Sequence, residues 1–210
     1  ELSKAAKDYT SAIKLEENNH EAYFMRGQLY KLMGNFESAI DDLDKAISLN
    51  SDLGIYFEVR AEINKEMQLK YEAIADYTQA MALAYEEFEI SKQQKILQNS
   101  HHLYYKRACI KVDISDWAGA LADCDHAIQQ DATVLTYFFM RAVAHEKLGL
   151  TREAEADYTK AYFMQNTDFD FFTWRGKGKE YFGDCVGAME YYNEAVVSFQ
   201  SSQTYANRAE

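Results

Sequence analysis

The 210-residue chain contains no proline. No helix in it can therefore be ended by the residue least able to continue one, and Asn, Asp and Gly must stop the chain instead. Its three cysteines, Cys109, Cys124 and Cys185, are too few and too odd in number for a disulfide framework and fit a reducing compartment. No apolar run approaches the roughly 18 residues that would cross a bilayer, so membrane insertion is not expected. Basic residues are scarce: 22 Lys and Arg stand against 34 Asp and Glu, a net charge of −12. That balance argues against duplex nucleic acid or anionic lipid as the main partner, since both need a basic surface. The opening residues, ELSKAAKDYT, lack the charged-then-apolar layout of a signal peptide, and a cytoplasmic location is expected. What is present is an ordinary apolar share, 48%, of which 14 percentage points are aromatic, enough to bury a core in one or two domains.

Self-similarity organises the rest. Arg followed by a small residue occurs at Arg26-Gly27, Arg60-Ala61, Arg107-Ala108, Arg141-Ala142, Arg175-Gly176 and Arg208-Ala209, with steps of 34, 47, 34, 34 and 33. An alanine series, Ala5, Ala39, Ala73, Ala120, Ala154 and Ala188, keeps the same period and the same single interruption. A third series follows seven residues later each time: Ala12, Ala46, Ala80, Ala127, Ala161 and Ala195. Three series in one register mark a repeat architecture.

Each period reads as two helices. In 20–53, residues 22–32 and 36–49 place apolar side chains at helical spacing, and Gly34-Asn35 between them is a stop-and-turn signal. Helix axes that cross at about 8–10 Å need small residues at the contact. Gly27 and Ala39 are expected to meet within one pair, and Ala46 to meet the next pair. Larger residues fill the space between: Tyr23, Tyr30, Phe36 and Leu43, and later Phe138, His145, Tyr158 and Tyr162.

A helix–turn–helix period of 34 residues with these aromatic, small and alanine positions resembles the tetratricopeptide repeat. The resemblance covers nearly the whole chain as a single array: a trailing helix at 1–19, repeats at 20–53, 54–87, 101–134, 135–168 and 169–202, and the start of a further leading helix at 203–210. It implies an all-α fold, a right-handed superhelical solenoid of antiparallel helix pairs whose concave face binds protein. Two departures stand out. Positions where the family often has proline hold Ser51, Tyr85, Ala132 and Asn166, so Asn50, Asp52 and Asp131 must end the helices. The second repeat has Asn64 where the first has Tyr30, and no glycine in its turn. The extra segment 88–100, FEISKQQKILQNS, is rich in helix formers, and the preceding helix is expected to run on past Leu83 to about Leu97, with a bulged loop as the alternative.

A charged series accompanies the alanines: Asp8, Asp42, Asp76, Asp123 and Asp157, broken by Tyr191. Pairing each Asp with the Arg of the following repeat gives five ion pairs, Asp8–Arg26 through Asp157–Arg175. Pairing within a repeat gives four, because Arg175 would then face Tyr191. The inter-repeat scheme is the expectation, with the pairs acting as register staples rather than as a catalytic set.

Motifs that carry chemistry are missing. Asp41-Asp42-Leu43-Asp44 reads as a solvated face around a core leucine. Asp123-Cys124-Asp125-His126 lacks a second Cys/His pair at zinc spacing, and Cys124 falls on the large core position held elsewhere by Tyr9, Tyr77 and Tyr158. His101-His102 has no accompanying HExxH, His145 sits on an aromatic core position, and RGKGKEYFG (175–183) does not meet GxGxxG. No GxSxG or Walker-type loop occurs. No catalytic residue, metal or cofactor is expected, and the chain is not expected to be an enzyme.

The resemblance places the concave face at positions flanking the Arg-small pair: Phe24, Gln28 and Lys31; Glu58, Glu62 and Lys65; Tyr105, Cys109 and Val112; Phe139, Val143 and Glu146; Thr173, Lys177 and Glu180. Family members that hold chaperone C-terminal carboxylates have Lys and Asn at successive groove sites. Those sites here hold Phe24 and Gln28, Glu58 and Glu62, Tyr105 and Cys109, so a carboxylate clamp is not implied. The expected ligand is a peptide or partner helix, apolar and with some basic character, meeting Phe24, Tyr105 and Phe139 beside an acidic second repeat. The alternative expectation is a head-to-tail homo-oligomer through the array ends, or a piece of a longer scaffold.

Overall fold

The computed structural model describes residues 1–91, 100–165, 171–181 and 186–197, and every described element is helical. The chain divides into two compact units, Glu1–Asp131 and Ala132–Glu210. The first contains α1 (Leu2–Leu15), α2 (His20–Leu32), α3 (Phe36–Leu49), α4 (Gly54–Glu66), α5 (Lys70–Ser91), α6 (His101–Asp113) and α7 (Trp117–Gln130). The second contains α8 (Leu135–Lys147), α9 (Thr151–Gln165), α10 (Phe171–Tyr181) and α11 (186–197).

Helices pair as the period predicts: α2 on α3, α4 on α5 and α6 on α7 in the first unit, α8 on α9 in the second. Within the first unit α1 packs on α2, α3 on α4 and α5 on α6, so each pair also abuts its neighbour. Small residues allow the close approach. A Cβ on Gly27 would lie 3.3 Å from the Ala39 carbonyl oxygen, and Ala39, Ala46, Ala73, Ala120, Ala127, Ala154 and Ala161 are fully buried. The large core position is filled in turn by Leu43, Tyr77, Cys124 and Tyr158, none of them more than 1% exposed. Cys124 is thus a packing residue.

The turn inside each pair is built the same way four times. Gly34, Gln68, Ser115 and Gly149 all have positive φ, between 61° and 78°. The amide that follows each reaches back to a carbonyl five residues earlier: Asn35 to Tyr30 at 2.9 Å, Leu69 to Asn64 at 2.8 Å, Asp116 to Lys111 at 2.8 Å and Leu150 to His145 at 2.9 Å. This is the Schellman closure, which satisfies a carbonyl the helix has left open. The next helix then starts at once, capped by Asn35 (accepting from the Ser38 amide, 3.3 Å) or Asp116 (from the Gly119 amide, 2.9 Å).

Between pairs the helices stop without proline. Asn50 and Asp131 turn extended, with φ of −150° and −143°, and the Asn50 side chain accepts from the Asp52 amide at 3.1 Å. Asn64, the anomaly of the second repeat, is 6% exposed, and its Nδ2 donates to Asp76 Oδ2 at 3.0 Å. Helix α5 continues past Leu83 to Ser91, and the rest of the extension expected to Leu97 lies outside the described residues.

Candidate functional site

The recurring Arg and Asp meet within each helix pair. Arg26 donates to Asp42 through Nε (2.8 Å) and Nη2 (2.6 Å). The same two-pronged contact joins Arg60 to Asp76 (3.0 and 2.6 Å), Arg107 to Asp123 (2.9 and 2.5 Å) and Arg141 to Asp157 (2.7 and 2.5 Å). This corrects the expected pairing of each Asp with the following repeat. The forked geometry needs the facing helices of one pair, where the aspartates are buried at 1–6% exposure. A link to the preceding repeat does exist, through the third guanidinium nitrogen and a different partner. Nη1 of Arg26 donates to Thr10 Oγ1 at 3.0 Å, that of Arg60 to Asp44 Oδ1 at 2.5 Å and that of Arg107 to Thr78 Oγ1 at 2.8 Å. Three of these aspartates gain a further neighbour four residues beyond their arginine: Asn64 for Asp76, Lys111 for Asp123 (2.9 Å) and His145 for Asp157 (3.1 Å). These are structural groups. At the fifth repeat the aspartate position holds Tyr191, and the Arg175 guanidinium lies 4.3 Å from that ring and 4.6 Å from Tyr158.

On the leading helices of the first unit a second network forms. Lys106 of α6 bridges Glu58 (2.8 Å) and Glu62 of α4. Glu62 also takes Lys31 of α2, and Glu58 takes His102 of α6 at 3.1 Å. Five side chains from three leading helices thus share their charges. Burial alone would raise both carboxyls, but hydrogen bonds from His102 and Lys106 hold Glu58 down at about 2, and those from Lys106 and Lys31 lower Glu62. Burial would lower Lys106, and the two carboxylates raise it instead. Tyr77 of α5 is pushed up by burial and by the nearby Glu62 and Glu58.

The expected site residues divide accordingly. Lys31, Glu58 and Glu62 belong to the network. Phe24 is half-buried and lies on the Tyr56 ring at 4.6 Å, and Tyr56 is held by His20 at 2.7 Å. Gln28, Tyr105, Cys109 and Val112 are half-buried, and Lys65 is exposed. Burial raises the Cys109 thiol above its ordinary value, which favours its neutral form. In the second unit Phe139 (6% exposed, ring 5.3 Å from Tyr158) and Val143 (3%) sit in the core. Glu146 accepts from Tyr158 Oη at 3.0 Å and pairs with the buried Lys179; Glu180 is exposed and accepts from Tyr192 Oη at 2.8 Å. Thr173 is half-buried, and the side chain of Lys177 lies outside the described residues.

Lys106 and His102 are absent from the set expected from sequence, although a signal was available. Glu58 and Glu62 are four apart on one helix, His102 and Lys106 four apart on another, with matching offsets and opposite character. Among the described residues no cluster of three or more His, Cys, Asp or Glu side chains could hold a metal ion, and no helix is long and apolar enough to cross a membrane.

Residues 20–53 match the family model described as tetratricopeptide repeat. The chain is also similar to a DnaJ homolog subfamily C member 7 homolog from Schizosaccharomyces pombe, 25% identical over 173 residues, covering 80% of this chain and 36% of that protein. It therefore spans about a third of that relative's length. Among solved structures, MamA superposes with a TM-score of 0.67 at 21% identity, covering 78% of this chain and 88% of that one. YrrB, described as a tetratricopeptide-repeat protein with an unusual peptide-binding site, gives 0.66 at 18% identity over 97% and 98% of the two chains. At these identities the structural likeness is one of fold alone. With the family's repeat matched at 20–53 and its positions recurring in register through both units, the chain carries a tetratricopeptide repeat at 20–53 within an all-helical fold of the tetratricopeptide-repeat kind, one that supports protein–protein interaction in general.

Proposed function

We propose that the first unit binds a peptide or partner helix on the face formed by α2, α4 and α6, and that it does so without catalysis. The observation that carries this reading is the charge network itself. Lys31, Glu62, Lys106, Glu58 and His102 satisfy one another across three leading helices, leaving a preformed surface whose remaining side chains are Phe24, Gln28, Tyr105, Cys109 and the exposed Lys65. Preorganised surfaces of this kind lose little entropy on binding. Affinity then comes from aromatic contact at Phe24 and Tyr105, with Gln28 placed to hydrogen-bond a partner backbone. The likeness in fold to YrrB, described as having a peptide-binding site, is consistent with this reading.

The ligand that fits is an apolar, near-neutral segment. The basic character expected from Glu58 and Glu62 loses its support, because both carboxylates already have cationic partners and a ligand lysine would have to displace Lys106. Phe139 and Val143, being buried, are not part of the contact set. A ligand carboxylate is equally disfavoured: Lys31 and Lys106 are committed, and the Phe24/Gln28, Glu58/Glu62 and Tyr105/Cys109 positions offer no Lys–Asn clamp.

The test uses three labelled peptides that share one aromatic-rich sequence: neutral, with two lysines added, and with an acidic C-terminus. Fluorescence anisotropy with the full chain should rank the neutral peptide first, and Tyr105→Glu and Gln28→Glu should each weaken it about tenfold. Unchanged binding by both variants, or a preference for the acidic peptide, would show that the partner docks elsewhere or in another mode.

A further inference from the structure

The position four residues after the ladder arginine differs from repeat to repeat: Tyr30, Asn64, Lys111 and His145. Three of these reach the ladder with long side chains. Tyr30 places its ring centre 5.9 Å from the Arg26 guanidinium, Lys111 pairs with Asp123 at 2.9 Å, and His145 lies 3.1 Å from Asp157. Asn64 reaches Asp76 with a side chain shorter than all three. The space it leaves is a groove of about 370 Å³ in the first unit, where Arg60 and Asn64 of α4 form a floor between α3 and α5.

The lining selects an occupant. Ile40, Leu69 and Ala75 give apolar walls, of which Leu69 and Ala75 are exposed. Asn64 is buried, and its Oδ1 accepts no hydrogen bond from a described residue yet is not sealed from the groove. The Arg26 guanidinium lies beside two rings, Tyr23 and Tyr30. Arg60 has one, Phe57 at 5.6 Å, and the place of the second opens into the groove. Charge is also unbalanced. Arg60 is the one cation of the lining and is shared by Asp44 and Asp76, while Glu72 adds a third carboxylate, exposed and without an ion pair among the described residues.

We propose that this groove receives a tyrosine side chain of a partner protein, followed in that partner by a basic residue. The ring takes the place against Arg60 that Tyr30 takes against Arg26, the phenol O–H donates to Asn64 Oδ1, and the basic side chain meets Glu72 at the rim. A ring alone leaves the surplus negative charge unanswered, and a basic chain alone leaves the apolar walls wet. None of Phe24, Gln28, Lys65, Tyr105 and Cys109 lines this groove, so it is separate from the peptide face proposed on α2, α4 and α6 and takes a partner of different chemistry.

The test adds the capped peptide Ala-Tyr-Arg-Ala to the isotope-labelled full chain and follows the NMR signals of the Asn64 side-chain amide and the Leu69 backbone amide. Both should shift, and the Phe-Arg, Ala-Arg and Tyr-Glu counterparts should bind at least about threefold more weakly. Asn64→Tyr fills the groove from within, as Tyr30 does in the first repeat, and should abolish the shift at Leu69. Glu72→Lys, an exposed change that keeps the fold even where Asn64→Tyr does not, should weaken binding about two- to fivefold and leave the neutral peptide on the α2, α4 and α6 face unaffected. Undiminished binding in either variant, or shifts centred on Phe24 and Tyr105 instead, overturns the proposal. Tyramine matching the affinity of the peptide assigns the groove to a small aromatic amine and overturns the choice of a protein segment.

Discussion

Arg26 and Asp42 stand sixteen residues apart on facing helices of one pair and meet through two hydrogen bonds of 2.8 and 2.6 Å, their side chains 16% and 7% exposed. The contact therefore closes a repeat on itself, and the second arm of Arg26, to Thr10, ties that repeat to the helix before it. Removing the buried partner strands a half-desolvated guanidinium, so Asp42→Ala should cost about 3 kcal/mol in urea unfolding. Asp8→Ala, on the exposed position that an inter-repeat scheme would pair with Arg26, should stay within about 0.5 kcal/mol. Equal losses for the two variants would return the ladder to the inter-repeat arrangement.

The turn positions make a sharper comparison, because four equivalent residues share one backbone conformation and only two are glycine. Gln68 and Ser115 hold φ of 63° and 61°, where Gly34 and Gly149 hold 74° and 78°. A Cβ in this region costs about 1 kcal/mol, part of which is returned by the smaller freedom of a non-glycine unfolded chain. Gln68→Gly and Ser115→Gly should each raise stability by about 0.5 kcal/mol, and Gly34→Ala should lower it by about 1 kcal/mol. Thermal midpoints of the three variants check the set, and a loss on Gln68→Gly would mean that its side chain contributes more than the strain it carries.

The period, the helix pairs and the core positions were legible in the sequence because they depend on spacing along single helices. Leu43, Tyr77, Cys124 and Tyr158 fall in one register and are all buried. The direction of the Arg–Asp pairing was not legible. Asp42 lies sixteen residues after Arg26 and Asp8 eighteen before it, so distance along the chain barely distinguishes the two sides. Counting possible pairs favoured the wrong one; the forked guanidinium, which needs a carboxylate on the facing helix, decides the other way. Glu58 and Glu62 read as an acidic patch for a similar reason. Their partners His102 and Lys106 lie forty-four residues on, beyond the interruption of the period, and only the packing of α4 beside α6 brings them together. Phe139 and Val143 read as surface by analogy with Phe24 and Gln28, which are half-buried, yet in α8 both sit in the core.

Tyr191 replaces the ladder aspartate in the fifth repeat, and Arg175 lies between its ring and that of Tyr158, 4.3 and 4.6 Å from the two centroids. A desolvated cation–π contact contributes up to about 2 kcal/mol. Tyr191→Ala should destabilise the second unit by about that much. Tyr191→Asp should lose markedly less, because it offers Arg175 the carboxylate that Arg26, Arg60, Arg107 and Arg141 use. Hydrogen exchange in 171–181 reads the difference. If the Asp variant opened as readily as the Ala variant, Arg175 would not be able to adopt the geometry of the other four arginines.

Lys106 is the shared cation of the inner network, and its loss should appear as a pH effect of definite sign. Glu58 is held at about 2 in the folded chain against an ordinary 4.5, and Glu62 is lowered as well. Carboxyls lowered on folding contribute stability above pH 4.5, and that contribution is lost as the pH falls through about 2. In Lys106→Met the ammonium is gone while the burial that raises both carboxyls remains, so Glu58 and Glu62 contribute much less, or oppose folding, at neutral pH. The variant should therefore be clearly less stable than the parent at pH 7, with the gap narrowing as the pH is lowered from 4.5 towards 2 because both chains then carry protonated carboxyls. Urea midpoints measured at neutral and acidic pH give the gap directly. A gap that stayed constant across the range would mean that Lys106 contributes through packing of its aliphatic stem rather than through charge.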